Sequence, residues 1–171
     1  MVRKGVESIP QPRFRGVISK LVQILRKRVP RLRSIVLFGS IARGDAGPST
    51  DVDLIVVSDS FPKSPSKSAD IIIEAFEALK ETDEYDRLRS AGIFLNIDPI
   101  GYRAADLGGV PPLMLDVAHE GILLFDDGFM EKVLDEVSAR LKRLGARRVR
   151  TKSGWYWDLK PDYKFGEAVE I

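Results

Sequence analysis

The sequence predicts an α/β or α+β domain in which a central sheet of about four strands is flanked by helices. Apolar residues recur at helical spacing in long stretches, and short apolar runs bounded by glycine, proline or acidic residues alternate with these stretches. Such alternation is typical of sheets covered by helices. At 171 residues the chain can bury one sizeable core, but it is too short for a catalytic domain plus a separate substrate domain of ordinary size.

The first half of the chain predicts two long helices, a short helix and two strands. Apolar residues at helical spacing predict a helix over about residues 12–29, and the run SIVLF before Gly39 predicts the first strand. Gly39 and Ser40 then open a short helix that extends to about Arg43. The turn-rich segment GDAGPST leads to a second strand, DVDLIVV. The second long helix is marked by Ile72, Ala75, Phe76 and Leu79.

The second half predicts two more strands and two more helices. The segment GIFLNIDPI predicts a third strand that closes at Pro99, and ILLF predicts a fourth. Between them, PPLMLDVAHEG predicts a short helix with proline at its start and glycine at its end. The basic run ARLKRLGARRVRTK is expected to be the solvated end of a last helix. That helix is marked by Met130, Val133, Leu134, Val137, Leu141 and Leu144.

Charged residues are unevenly distributed along the chain, although the net charge is only +2. Residues 1–35 contain ten Lys or Arg and a single acid, Glu7. Residues 36–138 contain eight basic and twenty acidic side chains, and residues 139–152 contain seven basic side chains and no acid. An acidic middle between basic flanks suggests a polyanionic partner such as ATP or RNA, although solvated helix faces would produce the same pattern.

The composition limits both the cellular compartment to be expected and the kinds of metal site that the chain can form. The chain has no cysteine, which excludes disulfides and thiolate metal sites. No apolar run approaches the roughly 20 residues that span a bilayer. The basic N-terminus also lacks the apolar stretch of a secretory signal. We therefore expect a cytoplasmic protein with no membrane association.

Two carboxylates stand at the entrance of the second predicted strand. Asp51 and Asp53 are one residue apart, and side chains alternate across a strand, so both point to the same face. Val52, Leu54 and Val56 occupy the opposite face, so we expect the two acids on the non-core side of a buried strand. Paired negative charges are costly without a cation, and a divalent metal is the usual candidate.

A third acid is expected to join this pair. In GIFLNIDPI, Asn96 and Asp98 alternate with Leu95 and Ile97, so Asp98 lies on one face of a neighbouring strand. Three carboxylates from two strands can hold two Mg²⁺ ions about 4 Å apart, an arrangement that serves phosphoryl and nucleotidyl transfer. A turn residue before proline is the ordinary alternative for Asp98.

Gly39 and Ser40, at a junction between a strand and a helix, suit phosphate binding. Glycine lets a ligand approach the backbone, while a helix N-terminus and the serine hydroxyl can bind phosphate oxygens. An ordinary turn with Ser40 as the N-cap would give the same pattern.

The arrangement Gly39-Ser40, ten residues, then Asp51-Val52-Asp53 resembles the G-S-x10-D-x-D motif of the polymerase-beta-type nucleotidyltransferase superfamily. The segment GSIARGDAGPSTDVDLIVV most resembles the minimal nucleotidyltransferases (MNT), many of which are encoded beside a HEPN-domain partner in toxin–antitoxin pairs. The closing segment SGWYWDLKPDYKFGEAVEI is similar to tails of archaeal members.

The resemblance implies a fold and a domain layout. The expected fold is that of the polymerase-beta-type nucleotidyltransferases, with a central mixed sheet of about four strands flanked by helices. The expected minimal nucleotidyltransferase domain covers residues 1–150, with its motif core at 35–100. A C-terminal aromatic tail is expected at 151–171.

The resemblance also implies catalytic and metal-binding roles. Asp51 and Asp53 would bind both Mg²⁺ ions, and Asp98 would complete the ion that lowers the pKa of the attacking hydroxyl. Gly39 and Ser40 would position the β- and γ-phosphates of the nucleotide, so that pyrophosphate leaves.

Arg43 matches the arginine in the family's G-S-x-A-R-G wording. The resemblance implies that its guanidinium neutralises phosphate charge. A surface ion pair with Asp45 or Asp51 is the alternative.

Three functions stay open at this point. The resemblance implies Mg²⁺-dependent transfer of a nucleoside monophosphate, AMP from ATP above all, to a hydroxyl. A tyrosine of a HEPN-type toxin is the acceptor that it suggests, which would make the chain an antitoxin. A second possibility is nucleotidyl transfer to RNA or a small molecule. A third is a binding antitoxin that neutralises its partner by contact without turnover, although three retained acids argue against it.

The remaining candidates are a histidine and a group of aromatic residues. His119 is the only histidine, and it stands at the end of a short helix, where a cation complements the helix dipole, so we interpret it as structural. Trp155, Tyr156 and Trp157 could stack on bases, dock a partner or fold back over the domain's own core.

Overall fold

A five-stranded sheet organises the part of the chain that the computed structural model describes, residues 2–152 and 154–163. The strands are β1 (Arg3–Lys4), β2 (Leu32–Phe38), β3 (Ser49–Ser58), β4 (Phe94–Tyr102) and β5 (Ile122–Asp126). They lie in the order β1, β5, β2, β3, β4. Strands β3 and β5 run antiparallel to β2, whereas β4 is parallel to β3 and β1 is parallel to β5. The predicted mixed sheet flanked by helices is therefore confirmed.

Helices cover both faces of this sheet. The helices of the described residues are α1 (Arg15–Arg28), α2 (Gly39–Arg43), α3 (Pro65–Lys80), α4 (Asp83–Ser90), α5 (Leu113–Glu120) and α6 (Phe129–Leu144). Single 3-10 turns span Val6–Ser8, Pro12–Phe14 and Ala104–Gly108. None of these helices combines the length and apolar character that crossing a membrane requires. Helix α6 ends where Gly145 takes a left-handed conformation with φ of 66°, a common way for a helix to stop.

The sheet has a hydrophobic core on each face. Helices α1, α3 and α4 cover one face, which includes Leu54, and helices α5 and α6 cover the other. Ile55 and Val57 belong to the second core and are fully buried, although they lie on the same face of β3 as Asp51 and Asp53. The expectation of a non-core face is therefore wrong for most of this strand. The start of β3 is less buried than the rest of the strand: Asp51 is exposed and Asp53 is half-buried.

Several elements differ from the sequence prediction. Strand β4 does not close at Pro99 but continues to Tyr102. A proline is tolerated there because β4 lies at the edge of the sheet, where one side of its backbone needs no partner strand. The two-residue strand β1 and the highly charged helix α4, whose one buried residue is Leu88, were not predicted.

The basic run at residues 139–152 is predicted to be a solvated helix end, but only its residues 139–144 belong to α6. Strands β6 (Arg147–Thr151) and β7 (Gly154–Asp158) form an antiparallel hairpin, called here the basic hairpin. Within the predicted tail 151–171, residues 153 and 164–171 lie outside the described residues. The domain boundary at residue 150 stays a prediction, and Arg150 is paired with Trp155 across the hairpin.

Candidate active site

The structure brings the three predicted carboxylates to one face of the sheet. In the parallel pairing of β3 with β4, Asp53 lies opposite Asp98, and Asp51 lies opposite Asn96. Residues in register on neighbouring strands point to the same side, so Asp98 shares the face of Asp51 and Asp53. Asp98 lies within a strand and is not the turn residue of the alternative interpretation.

Asp53 is the electrostatic centre of this group. Burial raises the pKa of Asp53, and the negative charges of Asp98 and Asp51 raise it further. A hydrogen bond from the backbone N–H of Ser40 and the positive charge of Arg43 act in the opposite direction, but the net pKa stays above its ordinary value. Asp98 and Asp51 are thus each close enough to Asp53 to repel it.

The Gly39-Ser40 turn packs directly against Asp53. Gly39 has a φ of +69°, and a Cβ atom placed on it would overlap the Oδ2 atom of Asp53. The Oγ atom of Ser40 lies 2.8 Å from the Oγ1 atom of Thr50, and no side chain caps the start of α2. Ser40 is therefore not the N-cap of the ordinary interpretation, and Gly39 is required for the approach of Asp53.

Arg43, at the end of α2, bonds two acids. Its Nη1 atom donates to the Oε1 atom of Glu120 at 2.8 Å, and its Nε atom donates to the Oδ2 atom of Asp45 at 3.2 Å. Burial alone would lower the pKa of Arg43, but the hydrogen bonds to Glu120 and Asp45 outweigh it and raise the pKa overall. The alternative ion pair with Asp45 is thus present.

Glu120 is a functional candidate that sequence reasoning missed. Its side chain is 9% exposed, and its Oε2 atom accepts a hydrogen bond from the Nη1 atom of Arg148 at 2.8 Å. Its carboxylate therefore joins Arg43 on α2 to Arg148 on the basic hairpin. The one available signal was an acid at the last position of a helix, where a cation is normally favoured.

The basic hairpin folds back onto the domain through its aromatic residues. The Nε1 atom of Trp157 donates to the Oδ1 atom of Asp116 at 3.0 Å, and its ring meets His119 edge to face at 5.8 Å. Trp155 stays 43% exposed, with the guanidinium carbons of Arg148 and Arg43 at 3.8 and 5.1 Å from its ring centroid. Trp157 thus folds back onto the domain, which was one of the alternatives for the aromatic residues, and His119 packs against its ring.

The carboxylate group suits a divalent cation by its chemistry. Among the described residues, no three acidic or histidine side chains are arranged closely enough to hold a metal ion as they stand. Carboxylate oxygens are nevertheless the ligands that Mg²⁺ prefers, and a cation would remove the repulsion that raises the pKa of Asp53. The donor set of Asp51, Asp53 and Asp98 therefore fits Mg²⁺ without being preassembled for it.

Comparisons with known proteins identify the kind of domain that carries this group. Residues 18–102 match the family model of the nucleotidyltransferase domain. The chain is 29% identical over 127 residues to a candidate protein adenylyltransferase of Methanocaldococcus jannaschii, a match that covers 72% of this chain and 80% of that protein.

Solved structures that resemble this chain include two toxin–antitoxin complexes. One, determined with AMP-PNP, has 18% identity and a TM-score of 0.48, covering 73% of this chain and 86% of the other. The second contains a tri-AMPylated HEPN toxin and MNT antitoxin of Shewanella oneidensis, with 15% identity and a TM-score of 0.44 over 74% and 87% of the two chains. A candidate nucleotidyltransferase of Sulfolobus solfataricus has 18% identity and a TM-score of 0.42 over 71% and 86%.

Proposed function

Because the chain is a nucleotidyltransferase, as its motif predicted and the match over residues 18–102 confirms, we propose that it transfers AMP from ATP to a protein hydroxyl with the help of Mg²⁺. One observation carries the proposal. Asp53 and Asp98 lie opposite each other in register, beside Asp51 and against the Gly39-Ser40 turn.

The three carboxylates are proposed to hold two Mg²⁺ ions. When bound, the ions neutralise charge on the transferring phosphoryl group and lower the pKa of the attacking hydroxyl. Asp51 and Asp53 would bind both ions, and Asp98 would complete the ion that lowers the pKa of the attacking hydroxyl.

The residues around α2 are proposed to bind and orient the phosphates of ATP. Gly39 places no side chain between the backbone and Asp53, so a phosphate can approach this turn closely. Ser40 offers a hydroxyl beside that of Thr50. Arg43 presents a planar guanidinium whose orientation is fixed by Glu120.

In the proposed reaction, the acceptor oxygen forms a bond to the α-phosphorus of ATP as the bond to the bridging oxygen breaks. Pyrophosphate leaves with the electron pair of that bond, and the hydroxyl proton passes to water. The guanidinium of Arg43 would stabilise the charge that develops on the leaving group.

The proposed acceptor is a tyrosine of a HEPN-type toxin, and the proposed biological role is that of a cytoplasmic antitoxin. The motif resemblance and the adenylyltransferase relative of Methanocaldococcus jannaschii support protein modification. Pairing of an MNT antitoxin with a HEPN toxin is known for the Shewanella oneidensis proteins, and for this chain it is part of the proposal. No observation favours RNA as the acceptor.

The test is transfer from α-labelled ATP, with Mg²⁺, to the product of the neighbouring gene, which the proposal expects to be a HEPN-type protein. We expect label on a tyrosine, loss of labelling on chelation of Mg²⁺, and at least a roughly 1,000-fold slower reaction for Asp53→Asn, since several kcal/mol of charge stabilisation are lost. Asp70→Asn, which removes an exposed acid on α3, is the matched control and should react at the full rate.

Two results would contradict the proposal. Equal labelling by Asp53→Asn and the unmodified protein would show that the carboxylate group is not the catalytic site. Inhibition of the toxin by Asp53→Asn without any labelling would indicate neutralisation by contact.

A further inference from the structure

A cationic cavity of about 550 Å³ lies between α2, the end of α5 and the basic hairpin. Four Lys or Arg side chains line it, together with His119 and the ring of Trp155, and the acid in its lining is Asp45. The four are Arg43, Arg148, Arg150 and Lys152. Its volume falls within the range of small-molecule sites.

The register of the basic hairpin explains why cations gather here. Arg148 pairs with Trp157 and Arg150 pairs with Trp155, so these four side chains share one face of the hairpin. Arg148 fixes this face toward the domain by its bond to Glu120. Arg150, two residues further along the same strand, is thereby directed to the cavity that it lines.

The charges of the cavity are only partly balanced by the protein. Arg43 and Arg148 share the single negative charge of Glu120, and Asp45 is already bonded to Arg43. Within residues 2–152 and 154–163, the side chains of Arg150 and Lys152 are exposed and make no hydrogen bond or ion pair. The Nε atom of Arg148 is buried without a hydrogen-bond partner, and its Nη2 atom reaches only to 3.5 Å from Asp116.

This surplus of positive charge adjoins the carboxylate group. Helix α2 begins with Gly39-Ser40, which contacts Asp53, and ends with Arg43, which lines the cavity. Because α2 has only five residues, the two ends are about 6 Å apart along the helix axis. A polyphosphate of a few phosphate groups can span that distance.

We propose that the cavity binds the β- and γ-phosphates of the nucleoside triphosphate, with Arg150 and Lys152 as their contacts on the basic hairpin. The inference rests on the proposed function and deepens it, because it assigns part of the substrate site to a segment outside the matched residues 18–102. The hairpin supplies a second set of contacts to the phosphates that Gly39 and Ser40 are proposed to position. The guanidinium of Arg150 and the ammonium of Lys152 also stabilise pyrophosphate as it leaves.

The test compares three probes by isothermal titration calorimetry: ATP, AMP and inorganic tripolyphosphate. The double variant Arg150→Gln/Lys152→Gln should bind ATP and tripolyphosphate at least about 10-fold more weakly, since two charge-assisted contacts are lost. Binding of AMP, which has no β- or γ-phosphate, should be unchanged. Lys142→Gln/Arg143→Gln removes the same charge from exposed positions of α6 outside the cavity lining, and should bind all three probes normally.

Three results would overturn the subsite: unchanged tripolyphosphate affinity in the hairpin variant, an equal loss in the α6 control, or an equal loss for AMP. Tighter binding of a short oligoribonucleotide than of tripolyphosphate would also overturn it, because the cavity would then serve nucleic acid. Full AMP transfer and full ATP affinity in the hairpin variant would remove the subsite and leave the proposed function intact. Selective loss of tripolyphosphate binding supports the subsite even if the unmodified protein transfers no AMP.

Discussion

Arg43 lies near two regions that each concentrate charges of one sign: the carboxylate group on β3 and β4, and the cationic cavity beneath the basic hairpin. The two regions differ in how far the protein offsets the repulsion between these charges. In the described residues no basic side chain bonds Asp51, Asp53 or Asp98, so their repulsion is left in place. Beside the cavity, the buried Glu120 accepts hydrogen bonds from Arg43 and Arg148 and offsets part of the repulsion between these two arginines. The protein therefore does not offset the repulsion of Asp53 by the other acids, and a bound cation would remove it. Near the cavity, in contrast, the attraction of Glu120 for Arg43 and Arg148 attaches the basic hairpin to the domain.

The charge that the protein leaves unpaired in each region indicates which ligand would bind there. The acids favour a cation, and Arg150 and Lys152 favour an anion. A nucleoside triphosphate with its divalent metal carries both charges in one molecule. Three substitutions separate the contributions of the two regions.

Gly39→Ala should have the largest effect on stability. A Cβ atom at this position would overlap the Asp53 carboxylate, and the φ of +69° is unfavourable for alanine. We expect a loss of about 3 kcal/mol in the free energy of unfolding, from about 1 for the backbone and roughly 2 for displacing Asp53. Urea unfolding measures this loss, and transfer should fall with it because Asp53 is displaced.

Gly92→Ala is the matched control for this prediction. Gly92 has a φ of +75°, but nothing lies within 4 Å of the position its Cβ atom would take. It should therefore lose only the backbone contribution of about 1 kcal/mol and keep its activity. Equal losses at the two glycines would show that the contact with Asp53 has no energetic importance.

Glu120→Gln should have an intermediate effect, because it leaves Arg43 and Arg148 close together without their shared anion. A loss of about 2 kcal/mol in the free energy of unfolding is expected, which is less than for a fully buried pair because Arg43 is partly exposed. Glu131→Gln removes one partner of the exposed pair with Lys4 and should destabilise the protein less than Glu120→Gln does, because solvent screens exposed charges. If both variants have the same melting temperature as the unmodified protein, Glu120 does not attach the hairpin.

The smallest effect concerns Asp53 and pH. Since the pKa of Asp53 is raised, the folded state binds a proton more tightly than the unfolded state does, and stability falls as pH rises from 3.8 through the folded value. Asp53→Asn avoids this loss, so the metal-free variant should be more stable at pH 7 by about 0.5 kcal/mol, a partly exposed charge being screened.

Thermal unfolding of both proteins with a chelator, at pH 7 and near pH 4, measures this difference. The advantage of Asp53→Asn should shrink toward pH 4, where the unmodified side chain is increasingly protonated. An advantage that is independent of pH would arise from packing and not from charge.

The contrast between the two regions also separates what the sequence could predict from what it could not. Asp51, Asp53, Gly39 and Ser40 lie within one short segment whose alternation fixes their faces, and the placement of Asp98 needed only one strand pairing. Their metal-binding and catalytic roles stay predictions.

Glu120 and Arg148 become neighbours only through tertiary folding, and no local pattern connects them. The basic hairpin was missed because its strand RRVRT has the composition of a solvated helix end, and contacts with Asp116 and Glu120 decide its conformation. The burial of Ile55 and Val57 could not be predicted either, because an alternating pattern separates the two faces of a strand but does not show whether both faces are buried.

The position of β4 at the edge of the sheet has a consequence for how the site assembles. Its neighbour among the described strands is β3, and the chain joins the two only after passing through α3 and α4. Contacts across such a connection form late in folding, and edge strands open locally more readily than central ones. Opening of β4 alone removes Asp98 and leaves Asp51 and Asp53 in place on the interior strand β3. The third carboxylate is therefore expected to be the most easily detached member of the carboxylate group.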